Sequence, residues 1–562
     1  MKHCPECNKN YADPTLSFCL NDGAPLIYGQ AVEEPATAIL SGDTPSEMPT
    51  SIDRHATSLD YSRSASAVVS DPPANYRRVL IFGAVAAAVF AAAFFGYRYF
   101  NSSTAGQIAS VAVLPFENGS GDPNLDYLSD GLSESLIDKL SELPQLKVIA
   151  RSSSFKYRGS ELDVQDIANK LGVRAIVSGK VARIGDNLNV RVEMVDAAEN
   201  RQIWSEEFNR KAPDLISIKQ EIAQAASDKM RVRLSGAQEQ QLAKKETVDP
   251  QAFELLLKGR FAWSKPGTDN LKKSIDYFEQ SVAADPNYAL AHAELSLKYY
   301  ILTGGSAADP KVYMPKAEAE ARKALELDSD LAEAHLAISR IYVAGWRWRE
   351  GEAERKRAIE LDPNNALAHD LYAQLLVLLG RFDESIAEAR RARELDPLSA
   401  FTAGNLGYRL YFARRYEESI AELKKAAELD PTSDFVYGTL GYAYAGNKQF
   451  KESIASYLEA VRLGDESTSV QVYLGAAYAY AGEREKAQEV LKRLQTTNEY
   501  VSPGEIAALY AALGDKEAAF ASLKKAYDEH DLQLQFLKVD PSYDPLREDP
   551  RFQELLKKVG LA

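Results

Sequence analysis

Cysteine is scarce in this chain and confined to one end. Of 562 residues three are cysteines, Cys4, Cys7 and Cys19, which excludes a disulfide-stapled scaffold. Their spacing is that of metal ligands and implies a reducing compartment for that end. Histidine is also rare, at six residues, and positive charge is in deficit, with 66 Lys and Arg against 81 Asp and Glu. A net charge of −15 argues against a general nucleic-acid binder, which needs a basic surface. Catalytic signatures are missing as well. There is no Gly-x-Ser-x-Gly elbow, no His-Glu-x-x-His, no Walker loop and no Rossmann fingerprint, so the expectation is that the chain is not an enzyme.

What is present is enough sequence for three or four domains. Long apolar runs are few, and one is uninterrupted. VLIFGAVAAAVFAAAFFGY, from Val79 to Tyr97, holds no charge and would reach about 28 Å as a helix. Arg77 and Arg78 precede it, and Tyr97, Arg98, Tyr99 and Phe100 flank its far end. The expectation is a single transmembrane helix over 77–100. The flanking basic residues put the N-terminus in the cytoplasm and everything after residue 100 outside the cell membrane. Residues 30–76, rich in Ser, Pro, Ala, Thr and Asp with no period, read as a disordered linker.

Ahead of that linker, residues 1–29 contain MKHCPECNKNYADPTLSFCLNDGAPL, which resembles a short zinc ribbon. The resemblance implies a structural zinc held by Cys4, Cys7 and Cys19. Asp22 stands where many ribbons have a fourth cysteine, and an aspartate oxygen can ligate zinc. His3 is a competing fourth ligand, and a degenerate ribbon without metal is the alternative. With almost no core, the segment should be unfolded without its metal.

Residues 107–235 alternate strand and helix signals. IASVAVLPF is a buried strand, Leu125, Leu128, Leu132, Leu136 and Leu140 mark a helix, LKVIA is a strand and VQDIANKLGV a helix. RAIVSGKVAR, NLNVRVEMVD and RQIWSEEF are three strands, the first two joined by a turn at Gly185-Asp186-Asn187. This order predicts an α/β domain with helices packed on a mixed sheet. ENGSGDPN precedes a helix but lacks the Gly-Lys-Ser/Thr ending of a phosphate loop, and Asp122 and Asp126 would repel an anion. The whole stretch resembles the TolB-N-terminal-like (FlgO-like) domain of bacterial membrane and signalling proteins. The resemblance implies a non-catalytic regulatory module ahead of tetratricopeptide repeats; the kinase and cyclase domains that accompany some relatives are missing here.

From Asp249 the chain repeats. ELDPNNA, ELDPLSA and ELDPTSD place Asp362, Asp396 and Asp430 34 residues apart, the tetratricopeptide period. The repeats run over 249–530, with 531–562 as a capping segment. Gly407, Gly441 and Gly475 recur in phase, each letting its first helix meet a small residue of the second (Ser419, Ser453, Ala487). His335 and His369 share one repeat position, which reads as structural rather than as a metal array. Such repeats stack into a superhelix with the first helix of each pair on its concave face. Groove positions then include Glu333, Arg340, Leu367, Asp370, Gln374, Phe401, Tyr408, Tyr411, Phe435, Tyr442 and Val472. Of these, Arg340, Gln374 and the aromatic set Phe401, Tyr408, Tyr411, Phe435 and Tyr442 are the candidate contacts for a protein or peptide partner.

The fold class expected is therefore multidomain: a zinc ribbon, one transmembrane helix, an α/β domain and an all-α tetratricopeptide solenoid. The function expected is a non-catalytic, membrane-anchored scaffold or sensory adaptor that binds proteins. The alternatives are a membrane-tethered transcription or signalling regulator whose zinc ribbon contacts DNA or cytoplasmic machinery, and an enzyme hidden in the middle domain. Residues 1–29 carry no basic footprint, so nucleic acid is not the favoured partner.

Overall fold

A computed structural model describes residues 2–3, 10–11 and 27–28 and, apart from 233, 245, 246, 248 and 304–309, residues 108–562. The chain divides into two units, residues 1–90 and 91–562. In the first, β1 (Lys2–His3) pairs antiparallel with β2 (Asn10–Tyr11) on one side and β3 (Ile27–Tyr28) on the other. Cys4, Cys7, Cys19 and Asp22, the linker over 30–76 and the expected span over 77–100 all lie outside the described residues.

The membrane placement needs correction. Among the described residues no helix is long and apolar enough to cross a membrane. A span needs about 20 consecutive apolar residues, whereas the longest described helix has 18 and reads PKVYMPKAEAEARKALEL, charged throughout. The expectation of a single-pass cell-membrane protein with extracytoplasmic C-terminal domains is withdrawn.

The second unit opens with a mixed sheet. Its strands are β4 (Ser110–Val113), β5 (Glu117–Asn118), β6 (Lys147–Val148), β7 (Ala175–Ile184), β8 (Asn187–Asp196) and β9 (Arg201–Lys211). The order is β6-β4-β7-β8-β9, with β5 also on β7. β4 runs parallel to β6 and β7, while β7, β8 and β9 form an antiparallel meander. Gly185, at φ 62°, makes the β7–β8 turn in the left-handed region that glycine tolerates. The buried face of β8 follows a period of two through Leu188, Val190, Val192 and Met194. Against the sheet lie α1 (Asp126–Ser141), α2 (Arg151–Ser154), α3 (Val164–Leu171) and α4 (Leu215–Lys229), followed by α5 (Gly236–Ala243).

Helices then pair into eight antiparallel hairpins: α6 (Pro250–Trp263) with α7 (Thr268–Ala284), α8 (Ala289–Thr303) with α9 (Pro310–Leu327), α10 (Ala332–Ala344) with α11 (Trp348–Leu361), α12 (Ala366–Leu378) with α13 (Phe382–Leu395), α14 (Ala400–Phe412) with α15 (Tyr416–Leu429), α16 (Asp434–Gly446) with α17 (Phe450–Leu463), α18 (Thr468–Tyr480) with α19 (Arg484–Thr496), and α20 (Pro503–Ala512) with α21 (Lys516–Asp528). Two 3-10 turns, Leu532–Phe536 and Pro541–Leu546, and α22 (Pro550–Lys558) complete the chain.

Repeated contacts explain the repeat. A Cβ on Gly407 would lie 2.5 Å from Leu423, and one on Gly441 2.5 Å from Tyr457, so only glycine permits that approach. The serine opposite does more than stay small. Ser385, Ser419 and Ser453 donate to the carbonyls of Ala373, Gly407 and Gly441 at 2.7–2.8 Å, clasping each hairpin. The histidines are a third ladder. Nδ1 of His335 and His369 lies 2.5–2.6 Å from Glu354 and Glu388, one helix on, and Nε2 lies 3.0–3.1 Å from a loop carbonyl six residues back. His292 repeats the arrangement with Glu320 and Pro286.

Candidate functional site: the concave face of the repeats

The first helices of the hairpins line the inside of the solenoid, and both halves of that inside are occupied by other parts of the same chain. In the first half the α/β domain is the occupant. Arg260 of α6 ion-pairs with Asp138 of α1 at 2.6 Å and with Glu294 of α8 at 2.7 Å. Tyr127 of α1 donates to Glu254 at 2.6 Å. Asn364 donates to the carbonyls of Ser141 and Leu143 at 3.1 Å. Asp396, at the end of α13, accepts from Ser152 and Ser153, each at 2.5 Å. One apolar core runs through this junction without a break, from Val111 and Leu136 to Leu256, Phe278 and Ile338.

Burial raises the carboxyls caught there. Glu333, half-buried by exposure yet desolvated by the atoms packed round it, with Asp138 and Asp362 nearby, is pushed up to about 8. Asp362, buried beside Glu142 and Asp138, is pushed up to about 7. Glu294 goes the other way, to about 2, because Lys298 and Arg260 outweigh its desolvation.

In the second half the occupant is the C-terminal segment. The Tyr408 and Tyr411 rings stack 6.0 Å apart, and both meet Tyr442 at 5.7 Å. Phe536 of the segment covers this patch, stacked on Phe412 at 5.3 Å and tilted 6.4 Å from Tyr408. Asp540 is buried and accepts from the hydroxyls of Tyr411 at 3.4 Å and Tyr473 at 3.5 Å. Tyr543 is fully buried and donates to the Gly504 carbonyl at 3.0 Å. Arg414 of the α14–α15 loop forks onto Asp544 with two bonds of 2.7 Å. Burial, with the Asp540 carboxylate beside them, pushes the Tyr411 and Tyr473 hydroxyls far up, so they remain donors.

The expected groove residues therefore separate into three groups. Tyr408, Tyr411 and Tyr442 are brought together, but as the seat of the chain's own C-terminal segment. A cleft of about 240 Å³ stays beside them, lined by Tyr411, Tyr416, Tyr442, Tyr457, Tyr473 and Tyr480. Phe401 and Phe435 form a separate pair with ring centroids 5.4 Å apart, and Phe401 is 58% exposed. With Leu367, also exposed, they occupy the same position of three successive repeats. Arg340 and Gln374 are half-buried on α10 and α12, with the Arg340 guanidinium 5.7 Å above the Tyr300 ring. Beside them lie two arginines that sequence reasoning passed over, Arg355 of α11 and Arg409 of α14, 1–3% exposed. Among the described residues no group of His, Cys, Asp and Glu is arranged to hold a metal ion.

The solenoid geometry is that of a tetratricopeptide-repeat protein, and a tetratricopeptide repeat family model matches residues 436–463. The chain is multidomain, a mixed-sheet region followed by a long all-helical solenoid of that type. Residues 107–225 match the family model of the HilA/YgeH-like transcriptional regulator second domain; the TolB-N-terminal-like resemblance is not supported. A curated relative, putative adenylate cyclase 3 of Rhizobium meliloti (strain 1021), is 34% identical over 188 residues, 34% of this chain and 32% of its own. The chain thus spans about a third of the length of the curated relative it matches. Among solved structures, Pseudomonas aeruginosa pilF is 18% identical, covers 38% of this chain and 91% of its own, and superposes with a TM-score of 0.31. YrrB, a tetratricopeptide protein described as having an unusual peptide-binding site, is 19% identical over 34% of this chain and 93% of its own, with a TM-score of 0.25. At these TM-scores neither carries an argument about function.

The cyclase relative corrects one expectation. The chain was expected not to be an enzyme because it lacks familiar motifs, yet a relative at 34% identity bears an enzyme's name. A missing signature tests only the chemistries that have one, so the non-catalytic reading is withdrawn.

Proposed function

We propose that this chain is a protein-interaction scaffold, with a solenoid that its own α/β domain and C-terminal segment brace from inside and a partner that docks on what they leave uncovered. The observation that carries the reading is the apolar stripe of Leu367, Phe401 and Phe435. These side chains recur at the repeat period; Leu367 and Phe401 stay exposed and Phe435 is half-buried beside them, so burying the stripe on a partner yields much affinity for little ordering cost. The tyrosine-lined cleft beside the C-terminal segment is the second surface, sized for a side chain of the same partner. The tetratricopeptide repeat match over residues 436–463 supports the same conclusion. The test is co-purification of the full chain with its partners, compared with a double variant at the two exposed positions, Leu367→Ala, Phe401→Ala. The expected result is loss of one specific protein with unchanged thermal unfolding. Equal recovery by both would refute the docking surface.

A second reading, a transcription or signalling regulator, is favoured by the match of residues 107–225 to a transcriptional regulator's second domain. In either reading Cys4, Cys7, Cys19 and Asp22 hold a structural zinc. In sequence the first two fall between β1 and β2 and the last two between β2 and β3, so one ion would tie the two connections of one small sheet. Zinc analysis of a 1–30 peptide checks this, and the absence of stoichiometric metal at neutral pH would remove the site.

A further inference from the structure

We propose that Arg340, Arg355 and Arg409, grouped about Asp370 on the concave face, bind a doubly charged oxyanion of the phosphate class. Two arginines of this set are nearly sealed from solvent, Arg355 at 1% and Arg409 at 3% exposed, and Asp370 at 8%. A buried guanidinium keeps its charge at neutral pH: even Arg355, lowered by burial and by the neighbouring Arg340, is brought down only to about 9. Its five N–H groups then need acceptors, and a buried donor without one is costly.

The acceptors in place are too few. Arg355 donates one Nη1 bond to the Leu371 carbonyl. Arg409 Nη2 lies 3.5 Å from Asp370 Oδ1. The other oxygen of Asp370 is taken by Asn405 Nδ2 at 2.9 Å. The Nε atoms of Arg340, Arg355 and Arg409 are buried and have no hydrogen-bond partner. Three guanidiniums thus share one carboxylate, which acts on all three.

The same protein shows how a buried arginine is otherwise satisfied. Arg260, 7% exposed, is surrounded by Asp138 at 2.6 Å, Glu294 at 2.7 Å and Glu134 at 4.0 Å. Arg151 shares Glu134 at 3.0 Å and Lys298 shares Glu294 at 2.9 Å, so three carboxylates around Arg260 meet three cations, where the Asp370 cluster has one carboxylate for three guanidiniums. The excess there is two positive charges. A dianionic oxyanion supplies both missing charges and several acceptor oxygens, and guanidinium forks match its geometry. Arg340 is half-buried, the most exposed of the three arginines, and so is Gln374, one turn after Asp370 on α12. The Tyr300 ring lies under the Arg340 guanidinium, its centre 5.7 Å away.

The test is calorimetric titration and thermal unfolding of the full chain with inorganic phosphate, pyrophosphate and adenosine monophosphate, at ionic strength matched with sodium chloride. Binding of inorganic phosphate assigns a free anion. Binding of pyrophosphate or the nucleotide alone assigns the phosphate group of a larger ligand. Arg340→Gln, at the half-buried edge, is expected to weaken binding about tenfold or more and to leave unfolding without ligand unchanged. Arg409→Met is expected to abolish binding and to raise the unfolding temperature in phosphate-free buffer, because it removes a buried charge that lacks compensation. No stabilisation by any of the three probes beyond the chloride control overturns the proposal. So does a Arg340→Gln variant that binds as tightly as the natural chain, or an Arg409→Met variant that unfolds earlier in phosphate-free buffer.

Discussion

Tyr543 gives the sharpest measure of how the C-terminal segment is held. Its side chain is fully buried, its ring lies 6.2 Å from Phe552, and its hydroxyl donates to the Gly504 carbonyl at 3.0 Å. Truncation to alanine removes an aromatic ring from a closed core, a change that costs about 3–5 kcal/mol. Tyr543→Phe keeps the ring and leaves one buried carbonyl without its donor, at about 1–2 kcal/mol. Hydrogen exchange of the full chain, followed by mass spectrometry, reads both. For Tyr543→Ala, amides of α20 and α22 should exchange roughly 150- to 5,000-fold faster, as an opening free energy lowered by that amount requires. The phenylalanine variant should change the same amides by about tenfold. α20 decides the matter, because it belongs to the repeats and not to the segment. If exchange in α20 stays within threefold of the natural chain while the segment alone loosens, the segment is a passive passenger and the reasoning fails.

Two further predictions concern the junction with the α/β domain. Glu333 and Asp362 have folded values pushed up to about 8 and about 7 from the ordinary carboxylate range near 4. The folded state therefore holds their protons more tightly than the unfolded state, and their contribution is present in full at low pH and lost as pH rises through 7–8. Denaturant midpoints should fall between about pH 4 and 8 and level off above, and Glu333→Gln should flatten that fall; a midpoint rising between about pH 6 and 8 in the natural chain would contradict the assignment. Asp396→Ala strands the hydroxyls of Ser152, Ser153 and Thr402, which bond its carboxylate at 2.5, 2.5 and 3.0 Å, and should cost about 2–4 kcal/mol. Faster proteolytic cleavage around α2 in that variant is the expected sign, and an unchanged cleavage rate would mean that the loop is held elsewhere.

The repeats could be read from the sequence because each one restates the same physical problem. Asp362, Asp396 and Asp430 stop successive helices, and Gly407 and Gly441 permit one close approach at one spacing. The strands of the α/β domain were as legible, since the alternation in NLNVRVEMVD has no helical counterpart. What the period could not convey is the identity of the neighbour across the groove. Tyr408 and Tyr442 look the same in sequence whether Phe536 or a partner covers them. A hint lay in the C-terminal stretch, where Leu534, Leu537, Val539, Tyr543, Leu546, Phe552 and Leu556 are more apolar than a solvent-facing cap requires. Arg355 and Arg409 escaped notice for a related reason, because charged residues on helices are usually solvated and only packing reveals which are sealed.

The indole of Trp348, at the start of α11, donates to the carbonyl of Val559 at 2.9 Å, and Trp346 stacks on His530 at 3.8 Å. These contacts fasten the third hairpin to the end of the chain and close hairpins three to eight on themselves. An open row of repeats loses structure from its ends inward, one neighbour at a time. A closed one has no free end in that stretch, so opening any hairpin there strains the closure, and six hairpins should melt together. The cost falls on assembly: the ring cannot shut until residues more than 200 apart in the chain have met.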